Sequence, residues 1–188
     1  RRRQPSGGAL MPAFPFGDFL ASLPWVALAL VALLAVTFAV AVRQNRHSVI
    51  DTVWGLGFVV AAAVSWALSA GHGDGGRRLL LLALVAIWGI RLAVHIGHRA
   101  RGGHEDPRYV DMLSSAPGSR NTYALRRVYL PQGIVMFFVS LTIQVGMFST
   151  GALGWLAWLG VLVWIVGFVF ETVGDWQLAQ FKADPARR

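Results

Sequence analysis

The apolar residues of this chain fall in five long blocks, and no other feature constrains its fold as strongly. The first block, residues 19–42, holds no charged residue. As a helix rising about 1.5 Å per residue it would measure about 36 Å, enough to cross a hydrocarbon core of about 30 Å. Further blocks are expected to span at 50–70, 79–97, 132–148 and from 153 onward, the last continuing as a more polar helix over 171–182. Inside lipid a backbone must satisfy its own hydrogen bonds, so the blocks are read as helices. The expectation is an all-α, polytopic transmembrane bundle of about five spans. Residues 1–18 are read as a disordered leader, and 19–188 as a single helical domain. Pro24 is expected near the start of the first span, where a missing N–H is tolerated.

Composition agrees with lipid as the solvent: 55% of residues are hydrophobic and only 14% charged, against about a quarter charged in soluble domains. A net charge of +8 would suggest nucleic acid in a soluble protein. Here the arginines sit in short connectors, and no basic face with interleaved aromatics points to nucleic acid. Connectors one and three and the C-terminal tail hold eleven of the seventeen Lys and Arg, and the opposite face five. The positive-inside rule then puts the N-terminus outside and the C-terminus in the cytoplasm of what we read as a bacterial inner membrane. With no cysteine, disulfides and thiolate chemistry are excluded. The first block is too long for the apolar part of a cleavable signal peptide and has no small-x-small exit.

Ionisable residues inside spans cost about 2.5–3.5 kcal/mol each on insertion scales, so each is a candidate for function. Three groups stand out. Asp51 and Trp54, three apart, share one helix face, and Arg91 and His95, four apart, share another. Glu171, Asp175 and Lys182 line one face of the last helix, with Leu178 among them. The bland alternative is that they pair, Asp51 with Arg91 for example, or that the last helix simply leaves the bilayer. Their common position toward the cytoplasmic side favours one cavity open to a soluble cofactor. Gly71-x-Gly73-x-x-Gly76 has the letters of a dinucleotide fingerprint but no preceding strand, and reads as a turn. His95, His98 and His104 near Glu105 and Asp106 are too few for a histidine-box iron site, so no metal is expected.

Several strings carry a resemblance. Asn45-x-x-Ser48-x-x-Asp51-x-x-Trp54-Gly55-x-Gly57-Phe58 resembles the second-helix motif of the bacterial DUF1295 proteins, within the steroid 5-alpha-reductase-like group. Arg91-Leu92-x-x-His95, Glu105-Asp106-Pro107-Arg108-Tyr109 and Gln132-Gly133 agree in order and spacing. So does Gly167-Phe168-x-Phe170-Glu171-x-x-Gly174-Asp175-x-Gln177-Leu178-x-x-Phe181-Lys182-x-Asp184-Pro185. The resemblance covers residues 42–185. It implies a membrane reductase of about seven helices that takes hydride from NADPH and reduces a carbon–carbon double bond conjugated to a ketone in a lipid-like or steroid-like substrate. It implies a cofactor site that includes the stretch from Glu171 to Lys182. Asp175 and Lys182 sit where the steroid enzymes have Asp and Arg; Glu171 stands where they have Asn. Those enzymes orient the ketone with a Gln-Glu pair on the second helix, which this sequence lacks, so Asp51 with Trp54 is a positional substitute. Arg91 and His95 are assigned an electrostatic or relay role behind it. The family's pattern continues past Asp184-Pro185 with a string that completes the cofactor site, so the 188 residues are expected to be inactive by themselves. Two other classes stay open on the residues: a membrane methyltransferase using S-adenosylmethionine, and a non-enzymatic transporter or scaffold held by buried ion pairs.

Overall fold

The computed structural model describes residues 13–102 and 104–184, the side chain of Arg101 excepted. The described chain is all-helical: α1 (Phe16–Gln44), α2 (Val49–Leu68), α3 (Gly75–Arg99), a short 3-10 turn, α4 (Pro107–Ser114), α5 (Arg120–Ala124), a π-helical turn (Leu125–Tyr129), α6 (Leu130–Phe148) and α7 (Trp155–Ala183). Five helices are long and apolar enough to cross a membrane, counting Arg120–Phe148 as one. The chain is an integral membrane protein. Of the expected leader, residues 1–12 lie outside the described residues and 16–18 already belong to α1; Pro185 and the last two arginines also lie outside. The chain divides into two compact units at Gly151 and Ala152, and each is described by itself.

In the first unit α2 is the central helix, touching α1, α3 and α6. Its buried face is built from small residues, Gly55, Gly57, Ala61, Ala62 and Ser65, with Ile50 and Phe58. In lipid, apolar bulk does not drive helices together, and small residues let backbones approach closely. Gly55 of α2 and Gly89 of α3 show this: a Cβ on either would overlap the carbonyl of the other. Replacing Gly55 with alanine is therefore expected to destabilise the bundle by about 1–3 kcal/mol through overpacking. The same change at Gly17, whose Cβ would meet nothing within 4 Å, is expected to be neutral or slightly stabilising. Thermal unfolding of the two variants in detergent would check the opposite signs.

α1 starts earlier than the charge pattern suggested because Phe14 and Phe16 extend its apolar end and pack on Phe19, which in turn meets Phe148 edge-on. Pro24 consequently lies in the helix interior. Such prolines are tolerated in membrane helices where neighbours compensate. α1 stops at a Schellman turn: Asn45 takes the left-handed conformation, φ 52°, while Arg46 N–H donates to Ala41 O at 2.9 Å. That arrangement satisfies carbonyls which would otherwise be orphaned at a helix end.

At the other end of the bundle, the Gly71-to-Gly76 string is a turn between α2 and α3, with Gly71 at φ +80°. Asp74 caps α3 by accepting from Arg77 N–H at 2.8 Å. A Cβ at Gly73 would collide with the Met147 carbonyl, which ties the turn to α6. The fourth span, expected at 132–148, is the end of a longer helical run that begins at Arg120.

Candidate functional site

The first and third connectors lock together around one carboxylate. Glu105 accepts from the backbone N–H of His47 at 2.6 Å and of Ser48 at 2.9 Å. These N–H groups stand at the start of α2, where a helix leaves donors unsatisfied and favours negative charge. Arg120 completes the cluster, donating to Glu105 at 3.2 Å and to Asn45 Oδ1 at 3.1 Å. The Glu105 side chain is only 8% exposed, so its charge depends on these partners. Burial alone would raise its pKa, but the bonds from His47, Ser48 and Asp106 outweigh burial and hold the carboxyl below its ordinary value.

The residues that follow Glu105 reach the α2 carboxylate. Asp106 caps α4 by accepting from Arg108 N–H at 3.0 Å, and Pro107 occupies the first helical turn. Pro is pre-organised for that position. The cap sets Tyr109 in the first turn of α4, where its hydroxyl donates to Asp51 Oδ1 at 2.6 Å. Arg108 Nη2 lies 3.4 Å from Asp51 Oδ2 and 2.9 Å from Asp106 Oδ2. Arg108 is 72% exposed, so these pairs add little stability; their consequence is orientation. The guanidinium holds the Asp106 carboxyl below its ordinary pKa, and Asp106 in turn raises Arg108. Burial first, and then the bond to Asp51, push the Tyr109 phenol far above its ordinary value. It therefore keeps its proton at neutral pH.

Trp54, one turn beyond Asp51, donates its indole N–H to Gln132 Oε1 at 2.6 Å. An indole nitrogen only donates, so the contact fixes which end of the carboxamide is oxygen. The Gln132 side chain in turn acts on the Tyr109 phenol, favouring its ionised form against burial and Asp51. Trp54, Gln132, Tyr109, Asp51 and Arg108 thus form one connected network drawn from α2, α4 and α6. A cleft of about 260 Å³ opens onto it, lined by Ser48, Asp51, Ile96, Arg99, His104, Glu105, Asp106 and Arg108 among others.

Asp51 and Trp54 therefore meet through Tyr109 and Gln132. Arg91 and His95 are half-buried on α3, which lines the cleft with Ile96 and Arg99 instead. Glu171, Asp175 and Lys182 belong to α7 in the second unit, where Glu171 and Asp175 are half-exposed and Lys182 exposed. The C-terminal part of α7 carries an open groove of about 570 Å³ lined by Trp176, Gln177, Gln180, Phe181 and Asp184. Among the described residues no group of three or more His, Asp or Glu is placed to hold a metal ion.

Sequence reading assigned no role to Glu105, Arg108, Tyr109 or Gln132. The Asp-Pro pair at 106–107 does mark a helix start and so predicts a first-turn Tyr109, but nothing local names its partner 58 residues away.

Residues 37–188 match the family model described as a protein of unknown function, DUF1295. The chain belongs to the DUF1295 family. Every residue of the network lies inside that match, as do the five strings quoted above. Neither a curated protein nor a solved structure matches this DUF1295 chain.

Proposed function

We propose that this DUF1295 chain is the membrane-embedded part of an oxidoreductase that reduces a carbon–carbon double bond conjugated to a ketone, in a lipid-like or steroid-like substrate, with NADPH. One observation carries the reading: a protonated phenol, Tyr109, that donates to the Asp51 carboxylate lining the cleft. Its bond to Asp51 is 2.6 Å. The resemblance to steroid 5-alpha-reductase-like proteins supports it from the sequence side.

Reduction of an enone needs a donor aimed at the carbonyl oxygen, where enolate charge develops. Tyr109 has that donor, presently given to Asp51. Its proton can turn toward a substrate oxygen if Asp51 keeps another donor, and Arg108 Nη2 at 3.4 Å supplies one. Gln132, fixed by Trp54, steadies the phenol as it turns. Arg91 and His95 on α3 act behind this set, through the local field. On α7, Asp175 and Lys182 share a face about 10 Å apart along the axis. A carboxylate suits ribose hydroxyls and an ammonium suits phosphate. These residues therefore fit a dinucleotide chemically, with Glu171 one turn before Asp175. When bound, the dinucleotide supplies the hydride. The arginine-rich connectors face the cytoplasm in this reading, where a soluble cofactor is found.

The test is thermal stability of the solubilised full-length protein with NADPH, NADH or S-adenosylmethionine. A ligand at 100 times its Kd adds about 2.7 kcal/mol. A rise in melting temperature with NADPH is expected. A rise with S-adenosylmethionine alone would replace the reductase with a methyltransferase. No rise with any of the three would leave a non-enzymatic membrane protein.

A further inference from the structure

The fourth span opens with a pair of arginines that the network around Asp51 does not use. Arg126 and Arg127 lie in the π-helical turn Leu125–Tyr129, which runs directly into α6. The turn buries Val128 and Tyr129 and leaves Leu125, Arg126 and Arg127 exposed. Arg46, Arg108 and Arg120 of the connectors are engaged by the chain itself, through the Ala100 carbonyl, Asp106 and Glu105 at 3.1, 2.9 and 3.2 Å. Arg127 instead stands over the Tyr123 ring, 6.0 Å from its centroid. Such stacking holds a guanidinium in place while its edge N–H groups stay open to an acceptor.

Beyond the pair the helix is apolar. Leu130, Ile134 and Phe138 follow Arg126 at intervals of four residues and so share its face of the helix. They are 55%, 57% and 62% exposed. From Arg126 to Phe138 the stripe runs about 18 Å at about 1.5 Å per residue. One leaflet supplies about half of a hydrocarbon core of about 30 Å, so the stripe matches the depth of a single leaflet. The arginines then stand at the level of the headgroups, where an amphipathic ring such as that of Tyr123 is also favoured. Charge on this segment has one sign, because no acidic residue occurs between Asp111 and Glu171.

We propose that Arg126 and Arg127 bind the headgroup of an anionic phospholipid, one acyl chain of which lies along Leu130, Ile134 and Phe138. Guanidinium groups present paired N–H donors that match phosphate oxygens. A glycerol headgroup leaves the phosphate charge for the arginines to meet, whereas a choline headgroup cancels it. The apolar stripe selects a lipid over a soluble anion, since only an acyl chain gains from covering it. The site does not depend on the reductase reading, and no nucleotide enters its test.

The test titrates the full-length protein in neutral detergent with phosphatidylglycerol or phosphatidylcholine of equal chain length and counts lipid-bound protein by native mass spectrometry. Phosphatidylglycerol is expected to bind the more tightly. Each arginine removed should weaken it about fivefold, so Arg126→Gln with Arg127→Gln loses on the order of 25-fold. Lysine at both positions keeps the charges and should lose less. Arg43→Gln, which removes an exposed arginine at the end of α1, should change binding by less than about twofold, against the fivefold expected at the site. Equal binding of phosphatidylcholine would overturn the proposal. So would a loss in Arg43→Gln equal to that in Arg126→Gln alone, which would reduce the effect to overall charge. Displacement of the lipid by inorganic phosphate at equal concentration would make a free anion the ligand and overturn it too. If the glutamine pair fails to fold, the lipid preference and phosphate competition of the wild type decide.

Discussion

Replacing Glu105 with alanine is expected to lower the melting temperature of the solubilised protein by on the order of 10 °C. The change strands Arg120 and the His47 and Ser48 N–H groups, which the carboxylate now satisfies at 3.2, 2.6 and 2.9 Å. Removing one member of a buried charged cluster costs about 3–5 kcal/mol, and a chain of this length shifts by about 2–4 °C per kcal/mol. Glutamine at this position keeps one acceptor and is expected to recover part of the loss. The pH dependence follows from the depressed carboxyl. Its contribution is complete above its ordinary value of 4.5 and is lost as pH falls from there through the lower folded-state value. Melting curves of the wild type should therefore worsen on acidification below 4.5, and those of Glu105→Gln should be flatter in that range. A wild-type melting temperature in Glu105→Ala would show that the connectors are held by other contacts.

Replacing Tyr109 with phenylalanine is expected to cut enone reduction by about 10²–10⁴-fold, the usual contribution of a positioned acid. Stability should change little, because one hydrogen bond is worth about 0.5–1.5 kcal/mol net and the Asp51 carboxylate keeps Arg108 at 3.4 Å. Asp51→Asn is expected to reduce turnover as well, since a neutral carboxamide loses the charge that draws the phenol to 2.6 Å and Arg108 to 3.4 Å. NADPH should still raise the melting temperature of both variants, as neither position lies on α7. Turnover at the wild-type rate in Tyr109→Phe, with NADPH binding intact, would remove the phenol from the chemistry while leaving the cofactor assignment standing.

The positions that proved informative were visible in the sequence, but their meaning was not. In Asn45-x-x-Ser48-x-x-Asp51-x-x-Trp54-Gly55, each named residue has a separate physical task. Asn45 takes the left-handed turn, Ser48 offers its N–H to Glu105, Asp51 receives Tyr109, Trp54 orients Gln132 and Gly55 admits α3. The spacing of three placed Asp51 and Trp54 on one face, which is a local property of a helix. That a tyrosine and a glutamine would bridge them required knowing how α4 and α6 dock on α2. Arg91 and His95 illustrate the converse, because a shared face of α3 does not say which side chains of that helix reach the cleft.

The sequence by itself determined the five helical spans, because lipid leaves a backbone no partner but itself and hydropathy is read over twenty residues at a time. It also determined where those helices turn, through Gly, Asn and Asp-Pro signals acting within a few residues. Only the tertiary structure decided which polar groups meet. Contacts such as Glu105 with Ser48 or Tyr109 with Asp51 join residues 57 and 58 positions apart, and no local pattern encodes a partner at that distance.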